Sequence, residues 1–253
     1  MAKLSDLILE LDRVLEPASF SDYCPNGLQV EGRSEVERVV TGVSASVELF
    51  ERALAAGADL VITHHGLFWD GDDPRVIGAQ RARLRLLLGA DVSLAAYHLP
   101  LDAHHALGNN ALIASGIGAV IEQPLGLAAG RRVGCQARFD GDGVSAAELV
   151  QRIATLTARE PLAFLAGPER VRSVGIVSGG GASSVREAID LELDAFITGE
   201  PAEWARALAR ESAIHFIAAG HHATETFGVR ALGELLAREF GIEHSYVEIA
   251  NPV

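Results

Sequence analysis

Asp59-Leu-Val-Ile-Thr-His-His65 returns further along the chain as Asp194-Ala-Phe-Ile-Thr-Gly-Glu200. Each copy has an aspartate, an apolar run of strand length, a threonine and a polar pair. The match extends backwards without a gap, so that residues 36–65 align on residues 171–200 at an offset of 135 (171 − 36). Only six of these thirty pairs are identical, yet both copies read as strand, helix, strand: a β-branched run, a helical stretch and a second apolar run. Two strands with a helical crossover between them run parallel in one sheet, which gives an α/β fold. α/β chains resemble themselves weakly in general. The repeat is favoured here because its polar residues fall where chemistry would need them.

A second match follows each copy. Leu94-Ala-Ala-Tyr-His-Leu-Pro-Leu-Asp102 lies on Ile217-Ala-Ala-Gly-His-His-Ala-Thr-Glu225, which pairs His98 with His221 and Asp102 with Glu225. The expected architecture is two similar α/β halves related by a pseudo-twofold, with a metal site in the crevice between them. The halves are residues 1–125 and 126–253, with an approximate boundary across which the chain is free to interlace. The glycine-rich stretch at residues 125–134 is the candidate join.

Working outward, Leu4, Leu7, Ile8, Leu11 and Leu15 share one face of an opening amphipathic helix. Strands are expected at residues 38–43, 59–63, 92–97, 133–139, 162–165, 172–177, 195–198, 214–219 and 245–249, with helices in most of the gaps. At 49% hydrophobic and 22% charged, the 253 residues are those of an ordinary globular protein. The apolar runs are strand-sized, far short of a bilayer span. Acidic Asp6 and Glu10 sit within the first helical repeat, unlike a signal peptide, so a cytoplasmic location is expected. The two cysteines, Cys24 and Cys135, form no Cys-x-x-Cys pair and are expected to be reduced, with Cys24 the better candidate for a role. A formal charge of −13 with no lysine and arginine run argues against nucleic acid and against a DNA-encircling ring.

Ligands of open α/β sheets gather beyond the carboxyl ends of the strands, and His64, His65, His98 and His221 all fall there. Pro100 suits the start of a helix whose first turn holds Asp102. Gly220 gives a tight exit before His221 and Glu225. Imidazoles and carboxylates without thiolates suit zinc, manganese or iron in an open, catalytic site. Two such ions about 3.5–4 Å apart would form a hydrolytic centre. Adjacent imidazoles at a strand end rarely serve packing alone. By contrast His104, His105, His215, His222 and His244 read as ordinary neighbours or strand-edge residues. Ser178-Gly-Gly-Gly-Ala-Ser183 lacks a phosphate-loop spacing and reads as a flexible turn.

Asn26-Gly-Leu-Gln-Val30, Ile62-Thr-His-His65 followed by Phe68-Trp69, His98-x-x-Leu101-Asp102 and Gly220-His221-x-x-Thr224-Glu225 resemble, in order and over nearly the whole chain, the Nif-three-like (NGG-interacting factor three) family. Its members are often labelled type 2 GTP cyclohydrolase I homologues. Many relatives have proline where this chain has Gly66, and longer ones carry an extra domain. The resemblance implies dinuclear metal ligands at His64, His65, Asp102, His221 and Glu225, with His98 close by. It also implies a toroidal homohexamer whose metal sites face an inner cavity. Asn26 and Gly27, most simply a turn, become candidate substrate-binding residues. Activities associated with the family include cyclohydrolase chemistry, phosphoester hydrolysis and metal delivery. The expected function is a dinuclear-metal hydrolase of a nucleotide or phosphoester, with His98 as general acid and Glu225 as a catalytic metal bridge. The alternative is a non-catalytic metal-binding adaptor or metallochaperone. The expected partner is a small phosphorylated substrate, with no membrane.

Overall fold

Apolar runs flanked by helical stretches fold here as βαβ units, because a strand buried on both faces needs helices to cover it. The computed structural model describes residues 1–253, and every one of the nine expected strands has a counterpart. The chain separates into two units, Met1–Leu101 with Gly228–Ala250, and Asp102–Phe227 with Asn251–Val253. It therefore crosses between units at Leu101 and again at Phe227, rather than once near residue 125. The glycine-rich stretch is not a join. It lies in a hairpin of the second unit, Val120–Ala128 paired with Arg131–Arg138. Ala129 and Gly130, with φ of 45° and 80°, make its two-residue turn.

In the first unit a five-stranded sheet runs in the order Glu243–Tyr246, Arg38–Ser44, Leu60–His65, Ser93–Ala96, Gly27–Val30. The first four are parallel and the last antiparallel. Leu49, Phe50, Val61 and Leu94 are wholly buried at its core, each contributing about 1.5–3 kcal/mol on burial. The opening helix, Leu4–Leu15, buries Leu4, Leu7, Leu11 and Leu15. In the second unit a six-stranded sheet has the order Leu162–Phe164, His215–Ala218, Ala195–Thr198, Ser173–Val177, Arg131–Arg138, Val120–Ala128. Its Ser173–Val177, Ala195–Thr198 and His215–Ala218 strands are parallel. No helix is long and apolar enough to cross a membrane.

The first repeat is present at the level of the ladder. Val39 pairs with Leu60 and Gly42 with Thr63; at the same offset Val174 pairs with Ala195 and Val177 with Thr198. The repeated aspartate explains itself. Asp59 Oδ2 accepts the amides of Glu37 and Arg38, and Asp194 Oδ2 accepts those of Arg172 and Ser173. Each carboxylate ties the start of its own strand to the start of the neighbouring one.

The second match slips by one residue. Ala96 pairs with Thr63 and Ala218 with Thr198, after which the amides of Tyr97 and Ala219 donate to the carbonyls of Thr63 and Thr198. His98 therefore takes the place of Gly220, not that of His221. Ladder hydrogen bonds and buried faces set register, whereas aligning on histidines ignores both.

Candidate metal centre

In the first unit three imidazoles converge past the ends of two parallel strands. His64 and His65 close the Leu60–His65 strand, and His98 follows the Ser93–Ala96 strand by two residues. Their ring centroids lie 4.8 Å apart for His64 and His65, 5.0 Å for His64 and His98, and 5.7 Å for His65 and His98. Their donor nitrogens all fall within 4.8 Å of one another. His64 is completely buried. The Trp69 ring meets His98 edge-on at 5.1 Å and His65 at 5.8 Å.

Each of these rings is held by Nδ1. His64 Nδ1 donates to the Tyr97 carbonyl at 3.0 Å, His65 Nδ1 pairs with Ser44 Oγ at 2.9 Å, and His98 Nδ1 donates to Asp22 Oδ1 at 2.8 Å. A carbonyl or carboxylate can only accept, so His64 and His98 carry a proton on Nδ1 and would offer Nε2 to a ligand.

The second unit assembles the acidic donors. His221 begins the short helix His221–Thr224, and Glu225 follows it, before the helix Thr226–Phe240. Gly220 makes the exit from the preceding strand at φ 96°, a conformation that favours glycine. His221 Nδ1 donates to Glu200 Oε1 at 2.6 Å, and its Nε2 lies 3.1 Å from Glu225 Oε1. Burial opposes the charged imidazole, but the hydrogen bonds and charges of Glu225 and Glu200 outweigh it and push His221 up to about 9. Asp102, in the helix Leu99–Asp102, accepts Asn109 Nδ2 at 2.8 Å and Ser178 Oγ at 3.1 Å through Oδ1. Asp102 and Glu225 are both buried.

The glycine turn is shaped by these donors. The Ser178 amide donates to Asn110 and the Gly179 amide to Thr224 Oγ1, so its first two residues are pinned in place rather than forming a loose turn. Gly179 has φ +60°, and a Cβ there would lie 2.2 Å from Glu225 Oε1 and 3.1 Å from His221 Nε2. Only a residue without a side chain leaves room for the donors. In each unit the donor set suits a divalent cation: oriented imidazoles in one, and an imidazole with buried carboxylates in the other.

The remaining histidines have structural partners. His104 Nδ1 accepts two backbone amides, and its ring stacks on His105. His215 is bonded through both nitrogens to Gly167 and Pro168, and His244 bonds Thr41. The His222 amide donates to the Val253 carbonyl. Cys24 lies beside Asp22 and His98. Burial and the charges of Asp22 and Asp70 push its thiol up to about 12, which keeps it protonated. Asn26 Nδ2 donates to Asp22 and its Oδ1 accepts the His98 amide, so it braces the His98 loop. Sequence reasoning did not assign Ser44, Glu200, Asn109 or Asp22 to the site. Glu200 had a signal, since it occupies the repeat position of His65.

The family model described as Duf34/NIF3 (NGG1p interacting factor 3) matches residues 2–252. The chain belongs to this family. A Pseudomonas aeruginosa protein named GTP cyclohydrolase 1 type 2 homolog is 44% identical over 249 residues, covering 98% of each chain. An Escherichia coli K12 protein of the same name is 42% identical over 254 residues, covering 99% of each. Among solved structures, protein ybgI, of unknown function, is 42% identical with a TM-score of 0.93 over 100% of both chains. TTHA1606 from Thermus thermophilus is 33% identical with a TM-score of 0.89, again over 100% of both. For this Duf34/NIF3 chain, family membership and the two donor sets stand on separate observations.

Proposed function

We propose that His64, His65, Asp102, His221 and Glu225 together hold two divalent cations (zinc, manganese or iron), and that the chain is a metal-dependent hydrolase of a nucleotide or phosphoester. The observation that carries this reading is the common anchoring of the imidazoles. In metal sites a ligating histidine almost always gives its second nitrogen to a carbonyl, carboxylate or comparable partner. Here Tyr97, Ser44 and Glu200 fill that role for His64, His65 and His221. The relatives' name, GTP cyclohydrolase 1 type 2 homolog, supports a purine nucleotide among the substrates to be tested.

Bound there, a pair of divalent cations supplies a nucleophile near neutral pH and stabilises charge developing on the electrophile. The chain's own residues supply the rest. Glu225 would bring two carboxylate oxygens to the ions, where each imidazole would bring one nitrogen. His98, beside His64 and His65, protonates the leaving group, and Asn26 and Gly27 border it as a substrate wall. A cytoplasmic homohexamer accompanies this reading. Exposed Leu9, Leu88, Val120 and Leu127 offer apolar surface for assembly, and sedimentation showing only monomer at micromolar concentration would contradict it.

The test is elemental analysis of the purified protein beside a hydrolysis screen of nucleotides and phosphoesters, for the wild type and Glu225→Gln. Loss of one or both ions with at least a ~10²-fold fall in turnover is expected. Full metal content and activity in the variant would rule out the bridging role. Bound metal with no turnover of any substrate would identify the adaptor instead.

A further inference from the structure

We propose that Asp22 is the positioning residue for His98, so that the two form a carboxylate–imidazole dyad that delivers a proton to the leaving group. This rests on the hydrolase reading and deepens it. The side chain of Asp22 is 2% exposed and that of His98 14%. Asp22 Oδ1 takes His98 Nδ1 at 2.8 Å and the Tyr23 amide at 2.7 Å, while Oδ2 takes Asn26 Nδ2 at 2.9 Å and the Leu99 amide at 3.0 Å. Four donors saturate the carboxylate as an anion. Burial raises its pKa, but the hydrogen bonds and the charge of His98 more than cancel this and hold it below the usual range.

The clamp also fixes the loop from the other side, since the His98 amide donates to Asn26 Oδ1 at 2.7 Å. His98 is therefore held by its backbone and by Nδ1 at once. Cys24 completes a metal-ligand-like trio with these two residues. The carboxylate's oxygens are already taken by four donors, so a hydrogen-bonded dyad fits the trio better than a third ion.

The chemistry follows from the tautomer. In the imidazolium, the Nδ1 proton stays on the ring in its hydrogen bond to Asp22, and the Nε2 proton is the one available. As a water oxygen forms its bond to phosphorus and gives up a proton to solvent, the bond between phosphorus and the leaving oxygen breaks and that oxygen takes the Nε2 proton. The ring is left neutral with its proton on Nδ1, and water returns the lost proton. A carboxylate enforces this arrangement, because it can only accept. An asparagine can donate to Nδ1 and move the ring proton to Nε2, a change that is costly in hydrolase triads.

The experiment compares wild type and Asp22→Asn, both metal-loaded, on phenyl phosphate and p-nitrophenyl phosphate, together with 15N NMR of the histidine rings. Phenolate is a poor leaving group that needs a proton; p-nitrophenolate leaves without one. Asp22→Asn should retain its metal and KM and lose about 10²-fold or more in kcat on phenyl phosphate, with a loss under about tenfold on p-nitrophenyl phosphate. In NMR the His98 proton should move from Nδ1 towards Nε2. In a His98→Ala background the same substitution should add almost nothing, because Asp22 acts through His98. Equal losses on both esters, an unchanged His98 tautomer, or full additivity with His98→Ala would overturn the proposal. Should Asp22→Asn not fold, Asn26→Ala loosens the same clamp and is read by the same two assays. If the wild type cleaves neither ester, the hydrolase reading fails on these substrates, and the tautomer shift alone decides whether Asp22 positions His98.

Discussion

Gly179→Ala is the smallest change that should separate folding from metal binding. Its backbone sits at φ +60°, where a side chain costs about 1–2 kcal/mol. For a chain of this size that is a fall in melting temperature of roughly 2–8 °C, and the variant should still fold. The effect on the donors is larger. The new Cβ would stand 2.2 Å from Glu225 Oε1, and carbon atoms of this kind essentially never approach closer than 3.0 Å. The carboxylate must therefore retreat by almost an ångström from its place beside His221, and Glu225 is too buried to swing out freely. A displacement of about 1 Å in a site can cost ~10²-fold. Metal affinity measured against a fluorescent chelator should fall at least about tenfold, while circular dichroism shows a folded protein. Gly180→Ala is the control, since a Cβ there meets only His221 Cε1, at 4.0 Å, and its affinity should stay within about twofold of wild type on ordinary contact grounds. Wild-type affinity in Gly179→Ala would refute the assignment of His221 and Glu225 as ligands.

Because His221 is pushed up to about 9, a cation arriving at neutral pH must displace its proton. Affinity should rise about tenfold per pH unit from pH 7 towards 9 and then level off, and calorimetry in two buffers should detect the released proton; a flat profile over this range would contradict the displacement. In metal-free protein the sign is opposite for stability. The folded value lies above the unfolded one, so the contribution of His221 is complete below about pH 6.5 and is lost as pH rises through about 9, visible as a falling melting temperature. Asp194→Asn weakens the charge-assisted hydrogen bonds to Arg172 and Ser173 and should cost about 1.5 kcal/mol, at the low end for such bonds because the residue is partly exposed. Denaturant melts should show this with metal content unaltered; an unchanged midpoint would mean that the repeated aspartate does not clamp the strands.

The strands were legible wherever burial on both faces made the sequence continuously apolar. Leu60–His65 and Ala195–Thr198 are such strands, and the repeat linking them extends to identical pairing registers. Val120–Ala128 was missed because its first five residues are exposed and Pro124 and Gly126 interrupt the pattern. Asn26-Gly27 reads as a turn and Gly27–Val30 gives no strand signal, since an antiparallel edge strand of four residues carries little periodicity. The crossing at Leu101 left no compositional mark, because the chain passes there within the helix Leu99–Asp102 rather than through a linker.

For the candidate site, legibility divides between donors and their supports. His64, His65, His98 and His221 announce themselves, because imidazoles past buried strands have few packing reasons to be there. Their supports do not. Tyr97 acts through its carbonyl, which any residue possesses, and Ser44 and Asn109 are ordinary polar residues until the fold brings them to a donor. Asp22 is 76 residues from His98 in sequence, with no pattern joining them. Glu200 is the exception: it lies at the repeat position of His65, but where His65 Nδ1 bonds Ser44, the Glu200 carboxylate accepts His221 Nδ1. The imidazoles differ in place as well, since His98 stands one residue off His221 on the two ladders. The ladders remained in register, so the copies share a backbone frame, and each half places its imidazole from a different point on that frame. The two halves share the strand frame, while the polar groups beyond it differ in type and, for the imidazoles, in position. Residues such as Asp22 and Glu200 are therefore better sought by asking what holds each Nδ1 than by aligning histidines.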